Sequence, residues 1–118
     1  LVIVGNLDEG LDFDTAGTDG DNFVDLGMSR VRASGNGDEA IKVSEEGAAS
    51  VRVDMRALRI EGDVEVEEED DGDLEVTISG SRIGDDLKLS EQGDGEGTVS
   101  LRGTTVVDEK DFAGVAET

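Results

Sequence analysis

Carboxylates are the residues of this chain that could do chemistry, and they come in clusters. Glu45-Glu46, the run Glu67-Glu68-Glu69-Asp70-Asp71 with Asp73, and Glu91 with Asp94 and Glu96 each follow a short alternating stretch. Asp8-Glu9, Asp38-Glu39, Glu61 with Asp63, Asp85-Asp86, and Glu109 with Asp111 each precede one. Like charges brought together repel unless a cation sits between them. Hard oxygen donors in flexible turns suit Ca²⁺. Glu45, Glu46, Glu68, Asp70, Asp71, Asp73 and Asp94 are the candidate ligands of such a metal site. A solvated acidic face with diffuse counterions is the alternative reading of the same residues.

No defined calcium loop backs the metal reading. Asp19-Gly20-Asp21-Asn22 with Asp25 is only a partial likeness to an EF-hand loop, and the Gly-Gly-x-Gly-x-Asp nonapeptide is absent. Arginine supplies a second pattern. Arg30, Arg59 and Arg82 recur at related positions, each just before a Val or Ile. They can pair with the nearby acidic turns and hold register, which is the preferred reading in so negative a chain. The other reading is an arginine strip for sulfated or carboxylated sugars. Classes of catalysis drop out by composition. There is no His and no Cys, so no imidazole base, no thiolate nucleophile and no usual zinc site. Paired carboxylates could run glycoside chemistry, but acids are so common here that any spacing arises by chance. Sugar sites use aromatic platforms, and the aromatics are only Phe13, Phe23 and Phe112. The one long excursion, Asp14 to Asn22, is too short to wall a cleft.

The elements that must position these residues are repeats. Gly5-Asn6-Leu7-Asp8-Glu9-Gly10-Leu11 returns as Gly35-Asn36-Gly37-Asp38-Glu39-Ala40-Ile41. Ile41-Lys42-Val43, Val64-Glu65-Val66 and Leu87-Lys88-Leu89 follow one another at a step of 23 residues. Val43 leads to Met55 and Ile60, Val66 to Ile78 and Ile83, and Leu89 to Leu101 and Val106, at the same two steps each time. In the first unit Phe13, Leu26 and Val31 fit the series with one inserted residue. Val24, Val53, Val76 and Val99 stand two positions before the second apolar residue of each unit. Alternation of period two means strand, and a fixed repeat of this length means a solenoid. The spacing predicts one coil of a parallel β-helix per unit, about four coils in all, with neighbouring strands about 4.8 Å apart. Residues 1–118 are one solenoid segment of an all-β protein.

The motif Gly-Asn-x-Asp-Glu-(Gly/Ala)-(Leu/Ile), running into an alternating strand, resembles the right-handed parallel β-helix repeats of secreted and surface bacterial or archaeal proteins. The resemblance covers nearly the whole chain. It implies an extracellular or cell-surface location and a fold that hosts polysaccharide lyases, hydrolases, epimerases, adhesins and plain stalks. The internal Asn ladder of such repeats is poorly kept: Asn6 and Asn36 hold it, while later turns read Glu61-Gly62-Asp63 and Gly84-Asp85-Asp86.

With 31 Asp plus Glu against 10 Lys plus Arg, the net charge is −21. Such a surface repels nucleic acid and anionic membranes and stays soluble in high salt. No run of apolar residues is long enough to insert into a membrane as a helix. Register places Asp12, Lys42, Glu65 and Lys88 on one outward column of alternating sign. Leu1 aligns with Val31, and neither end shows a helix, a proline or a dense charge block. The chain is therefore expected to be part of a longer β-helix or to associate end to end, with polysaccharide as a further candidate partner. The sequence reads as a non-catalytic module of an extracellular or cell-surface protein, a rigid spacer, adhesive or assembly element that Ca²⁺ could stabilise. The alternative is the scaffold of a carbohydrate-active β-helix enzyme.

Overall fold

A strand with apolar side chains at every second position has one dry face, and that face must be covered. The computed structural model describes residues 1–6, 9–15 and 23–118, and covers those faces by winding the chain into a parallel β-solenoid of about four turns. Leu7, Asp8 and residues 16–22, with the partial calcium loop and most of the excursion after Asp14, lie outside the described residues.

The chain opens with β1 (Val2–Val4), β2 (Leu11–Thr15) and β3 (Phe23–Ser29). A second trio follows as β4 (Arg32–Ser34), β5 (Ile41–Glu45) and β6 (Ser50–Arg56). The third is β7 (Arg59–Ile60), β8 (Val64–Glu68) and β9 (Leu74–Ser79), and the fourth β10 (Arg82–Ile83), β11 (Leu87–Glu91) and β12 (Gly97–Arg102). β13 (Thr105–Val106), β14 (Lys110–Ala113) and β15 (Val115–Glu117) close the stack. Three parallel sheets result, β1-β4-β7-β10-β13, β2-β5-β8-β11-β14 and β3-β6-β9-β12-β15. We call them A, B and C. The described residues contain no helix.

The columns expected from the repeat are there. Val43, Val66 and Leu89 pair in register and are buried. Met55, Ile78 and Leu101 form a second inner column, with Leu101 only half-buried near the top. The outward column Asp12, Lys42, Glu65, Lys88 holds as well and continues to Asp111.

The first coil corrects its expected alignment. Leu26 pairs with Val53, and Met28, not Leu26, stands under Met55. Phe13 to Met28 spans 15 positions against 12 from Val43 to Met55, so the insertion is three residues rather than one. Ala33, not Val31, sits under Ile60, and the arginine column is Arg32, Arg59, Arg82 rather than Arg30, Arg59, Arg82. Arg30 instead occupies the corner after sheet C. It has φ +56°, matching Ala57 at +55°, Gly80 at +56° and Gly103 at +55° one coil apart. A left-handed residue is what turns the chain there, and glycine adopts it without strain.

The ends also differ from expectation. In sheet B the row Leu11, Ile41, Val64, Leu87 finishes on Lys110. In sheet C the row Leu26, Val53, Val76, Val99 finishes on Glu117. The two charges meet over the top of the core, Lys110 Nζ to Glu117 Oε1 at 3.1 Å. Inward-pointing charge blunts a sheet edge, so the C-terminal coil does carry a polar cap. At the other end the inward Phe13 is 37% exposed, and Leu11, Val24 and Leu26 are only partly buried.

Candidate functional site

Each coil turns three corners, and polar side chains stack at all three. At the corner leading from sheet A to sheet B, Asn36 Oδ1 accepts from Asn6 N–H (3.2 Å) and from Asn6 Nδ2 (2.9 Å). The asparagine ladder stops there, but aspartates take over its task two coils up. Asp63 Oδ1 accepts the Asp86 N–H at 3.0 Å, and Asp86 Oδ1 accepts the Glu109 N–H at 3.0 Å. Between sheets B and C, Ser50 Oγ accepts the Asp73 N–H (3.0 Å) and Asp73 Oδ1 the Glu96 N–H (2.9 Å). Between sheets C and A the acceptors are Ser81 Oγ for Leu58 N–H (3.0 Å) and Thr104 Oγ1 for Ser81 N–H (3.4 Å). Short acceptors at turn positions are what satisfy backbone donors that the sheets do not reach.

This sorts the seven carboxylates singled out as metal ligands into two sets. Glu46, Asp70, Asp71, Asp73 and Asp94 are exposed on the B–C corner, where Asp71 and Asp73 already hold the next coil's N–H groups. Glu45 and Glu68 face the opposite way and are fully buried. Glu91, which stands in one of the clusters but not among the seven candidate ligands, joins them as the next member of the column. The signal was available: Glu45, Glu68 and Glu91 have the same parity as the inward residues Val43, Val66 and Leu89.

The carboxylate groups that the structure does gather to ligand distance lie at the A–B corner. Asp63, Asp85 and Asp86 bring oxygens within 4.8 Å of one another, as do Glu9, Asp38 and Glu39. Repulsion is visible there: the Asp63 charge, burial, and then Asp86 and Asp108 raise the pKa of Asp85 above the ordinary aspartate value. Lys88 answers part of it, with its Nζ 2.9 Å from Asp63 Oδ2. That hydrogen bond outweighs burial and holds the Lys88 pKa above the usual lysine range. Burial works against the Lys42 ammonium, yet Glu65, Glu67, Glu39 and Glu9 outweigh it and raise its pKa too. On the same face a hydrogen bond with Glu67, then burial, pushes Glu65 upward.

Beside this corner runs a groove of about 1080 Å³. Arg32, Arg59 and Arg82 on β4, β7 and β10 line one wall, and Asp38, Asp63 and Asp85 the other. Arg59 Nη1 donates to the carbonyls of Leu58 (2.8 Å) and Gly80 (3.0 Å), so it fastens one coil to the next through the backbone. None of the three arginines forms an ion pair with a described carboxylate. The register role expected of them is therefore met by Arg59 through carbonyl oxygens rather than through the acidic turns. What the arrangement can do is bind: it presents a row of cations along one wall and a cation-attracting corner along the other.

A comparison of the chain with family models, with characterised proteins and with solved structures finds no match.

Proposed function

We propose that this chain is a non-catalytic structural module, a rigid spacer and assembly element of an extracellular or cell-surface protein. One observation carries the reading: the side faces are dominated by solvated charge, while among the described residues no strand pairs with the outer edges of β1, β2 and β3, and inward side chains of the first coil stay partly exposed. Among the inward residues of the first coil, Phe13 is 37% exposed and Leu11, Val24 and Leu26 are only partly buried. β1, β2 and β3 are edge strands of their sheets. An open parallel edge over a half-covered core is a template for another coil. In this reading the N-terminal end joins a neighbour, and a second copy is the partner we commit to. Copies that repel through −21 charges approach only when salt screens them.

Sedimentation of the isolated chain tests this. Concentration-dependent association, promoted by about 1 M salt and lost in Phe13→Asp, is the expected result. A particle that stays monomeric at every concentration and salt level rejects the assembly role. Ca²⁺ belongs to the proposal as a screening partner of the Asp63–Asp85–Asp86 corner. Stabilisation by millimolar Ca²⁺ beyond that of equal ionic strength supports it, and an unmoved melting temperature counts against it.

A second reading rests on the arginine-lined groove. As the scaffold of a carbohydrate-active protein, the chain would hold sulfated or uronate chains along Arg32, Arg59 and Arg82. Binding of such a polysaccharide that Arg82→Ala abolishes would favour it over the spacer role.

A further inference from the structure

The arginines of this chain are gathered on one side. All seven stand on sheets A and C or at the corner between them, and all seven are exposed. Arg32, Arg59 and Arg82 lie on β4, β7 and β10, Arg52 and Arg56 on β6, and Arg102 on β12, while Arg30 turns the C–A corner itself. Sheet B and the other two corners hold no arginine. Two of the seven are answered on the spot: Arg56 Nη2 lies 2.7 Å from Asp54 Oδ2, and Arg52 Nε 3.5 Å from Glu75 Oε2. Arg30, Arg32, Arg82 and Arg102 form no ion pair with a described carboxylate, and Arg59 spends its donors on carbonyl oxygens. The corner between them is slim. Gly80 and Gly103 turn it in the upper coils, with open space where a Cβ would stand on either. A partner can therefore reach the cations on both flanks.

The B–C corner is the opposite surface. Glu46, Asp70, Asp71, Asp73, Asp94 and Glu96 are exposed there, none pairs with a described cation, and no Lys or Arg interrupts them. The A–B corner is acidic too, but Lys88 takes up part of its charge at Asp63. Both surfaces climb the same solenoid. Arg32, Arg59 and Arg82 stand on successive rungs of sheet A. Asp71 accepts the Asp94 N–H and Asp73 the Glu96 N–H, each one coil on. Each surface thus repeats at about 4.8 Å. Two copies lying side by side match cations to carboxylates coil by coil with no adjustment of spacing.

We propose that the C–A corner is a lateral docking ridge whose occupant is the B–C corner of a second copy. Guanidinium and carboxylate suit such a contact, since the planar fork can bind both oxygens at once. The two patches differ, so the contact is heterologous. The outer members keep one free ridge and one free acidic corner, and association continues past a dimer unless a ring closes. This contact joins flanks, whereas the assembly contact proposed above joins ends. Net charge decides when it forms. At about 0.01 M salt the Debye length, about 30 Å, spans a molecule of 35 × 29 × 21 Å, and the −21 charges of each copy keep the two apart. At about 0.15 M it is about 8 Å, so distant charges are screened while facing pairs still attract. At about 1 M it is about 3 Å, and the facing pairs weaken as well.

Sedimentation of the intact chain at these three salt levels tests the proposal. The apparent dissociation constant is expected to be about tenfold tighter at about 0.15 M than at about 0.01 M. Arg82→Glu combined with Arg102→Glu should abolish the association seen at about 0.15 M and leave that at about 1 M, which belongs to the ends, unchanged. Phe13→Asp should do the reverse, so the two contacts fail separately. Asp70→Lys combined with Asp94→Lys should also abolish association at about 0.15 M. An equimolar mixture of the two double variants sets reversed ridge against reversed corner and native ridge against native corner, and should restore it. The proposal is overturned if the wild-type chain is monomeric at about 0.15 M salt at every concentration, a result that needs no variant to fold. It is equally overturned if the ridge variant, folded by circular dichroism, associates there as the wild type does, or if the folded mixture stays monomeric. A ridge that captures polyglutamate while the chain remains monomeric belongs to a foreign polyanion, which overturns it too.

Discussion

At the C-terminal end of the stack two rows that are aliphatic in every coil below finish on Lys110 and Glu117, while at the N-terminal end the same rows begin on Leu11 and Leu26. The backbone at the two ends is the same repeat, yet one inner face is closed by an ion pair and the other shows half-buried leucines beside a partly exposed Phe13. What decides whether an end can accept another coil is thus two side chains, not the strand pattern. The value of the cap lies less in the exposed ion pair, which contributes little to stability, than in what it forbids. A coil stacked on Lys110 and Glu117 would have to bury both charges, at a cost of several kcal/mol per ion unless well paired.

The strongest test of this contrast is to place the same charge at the middle and at the open end. Ile78→Asp buries an unpaired charge in the third coil and should cost more than about 4 kcal/mol, enough to abolish folding by circular dichroism. Leu26→Asp, at a half-buried site, should cost only about 1 kcal/mol and leave the upper coils intact. Equal losses at the two sites would mean that the N-terminal end is covered far better than its exposure indicates.

Acid should strengthen the middle of the stack more than either end. Burial raises the pKa of Glu68, so its proton stabilises the fold fully below the ordinary glutamate value and this stabilisation disappears as pH rises through about 7. Denaturant unfolding at about pH 5 and pH 8 measures it. Glu65 and Asp85, also raised, act in the same direction. A stability that climbs from acid to neutral pH would contradict the assignment.

Removing the cap should convert one end into the other. Lys110→Leu combined with Glu117→Leu should leave the melting temperature nearly unchanged but add a second mode of self-association, seen as species larger than a dimer in sedimentation. If the double variant behaves as the wild type, the ion pair is not what closes that end. The smallest effect belongs to the corner after sheet C. Ala57→Gly should stabilise the chain by about 1 kcal/mol, since glycine relieves the left-handed strain. Arg30→Gly in the first, less buried coil should give less, and both are read from thermal unfolding.

How much of this could be read from residue order follows from what alternation specifies. It specifies which face a side chain occupies, and Val43, Val66, Leu89 and the column from Met55 to Leu101 were legible for that reason. Alternation does not specify register, because a slip of two residues keeps every side chain on its face. In Arg30-Val31-Arg32-Ala33 both arginines precede an apolar residue, so only the positive φ at Arg30 settles which one joins Arg59. The glutamate column was legible by parity, but a cluster of acids reads as a turn when charge is weighed before register. Lys110 and Glu117 become a cap only once their rows are known, since nothing local distinguishes them from other surface charges.

The corner ladders carry one last consequence. From Asp63 to Asp86 to Glu109, and from Ser50 to Asp73 to Glu96, each bond joins residues 23 apart. Between the first two coils the separation is 30, as for Asn6 and Asn36. Loop-closure entropy grows only with the logarithm of length, so the longer first loop costs about 0.2 kcal/mol more. Each new coil therefore closes nearly the same loop, however tall the stack below it. The topology resembles a zipper with teeth of one size: its speed per tooth is independent of its length, and natural selection could lengthen or shorten it without making it harder to fold.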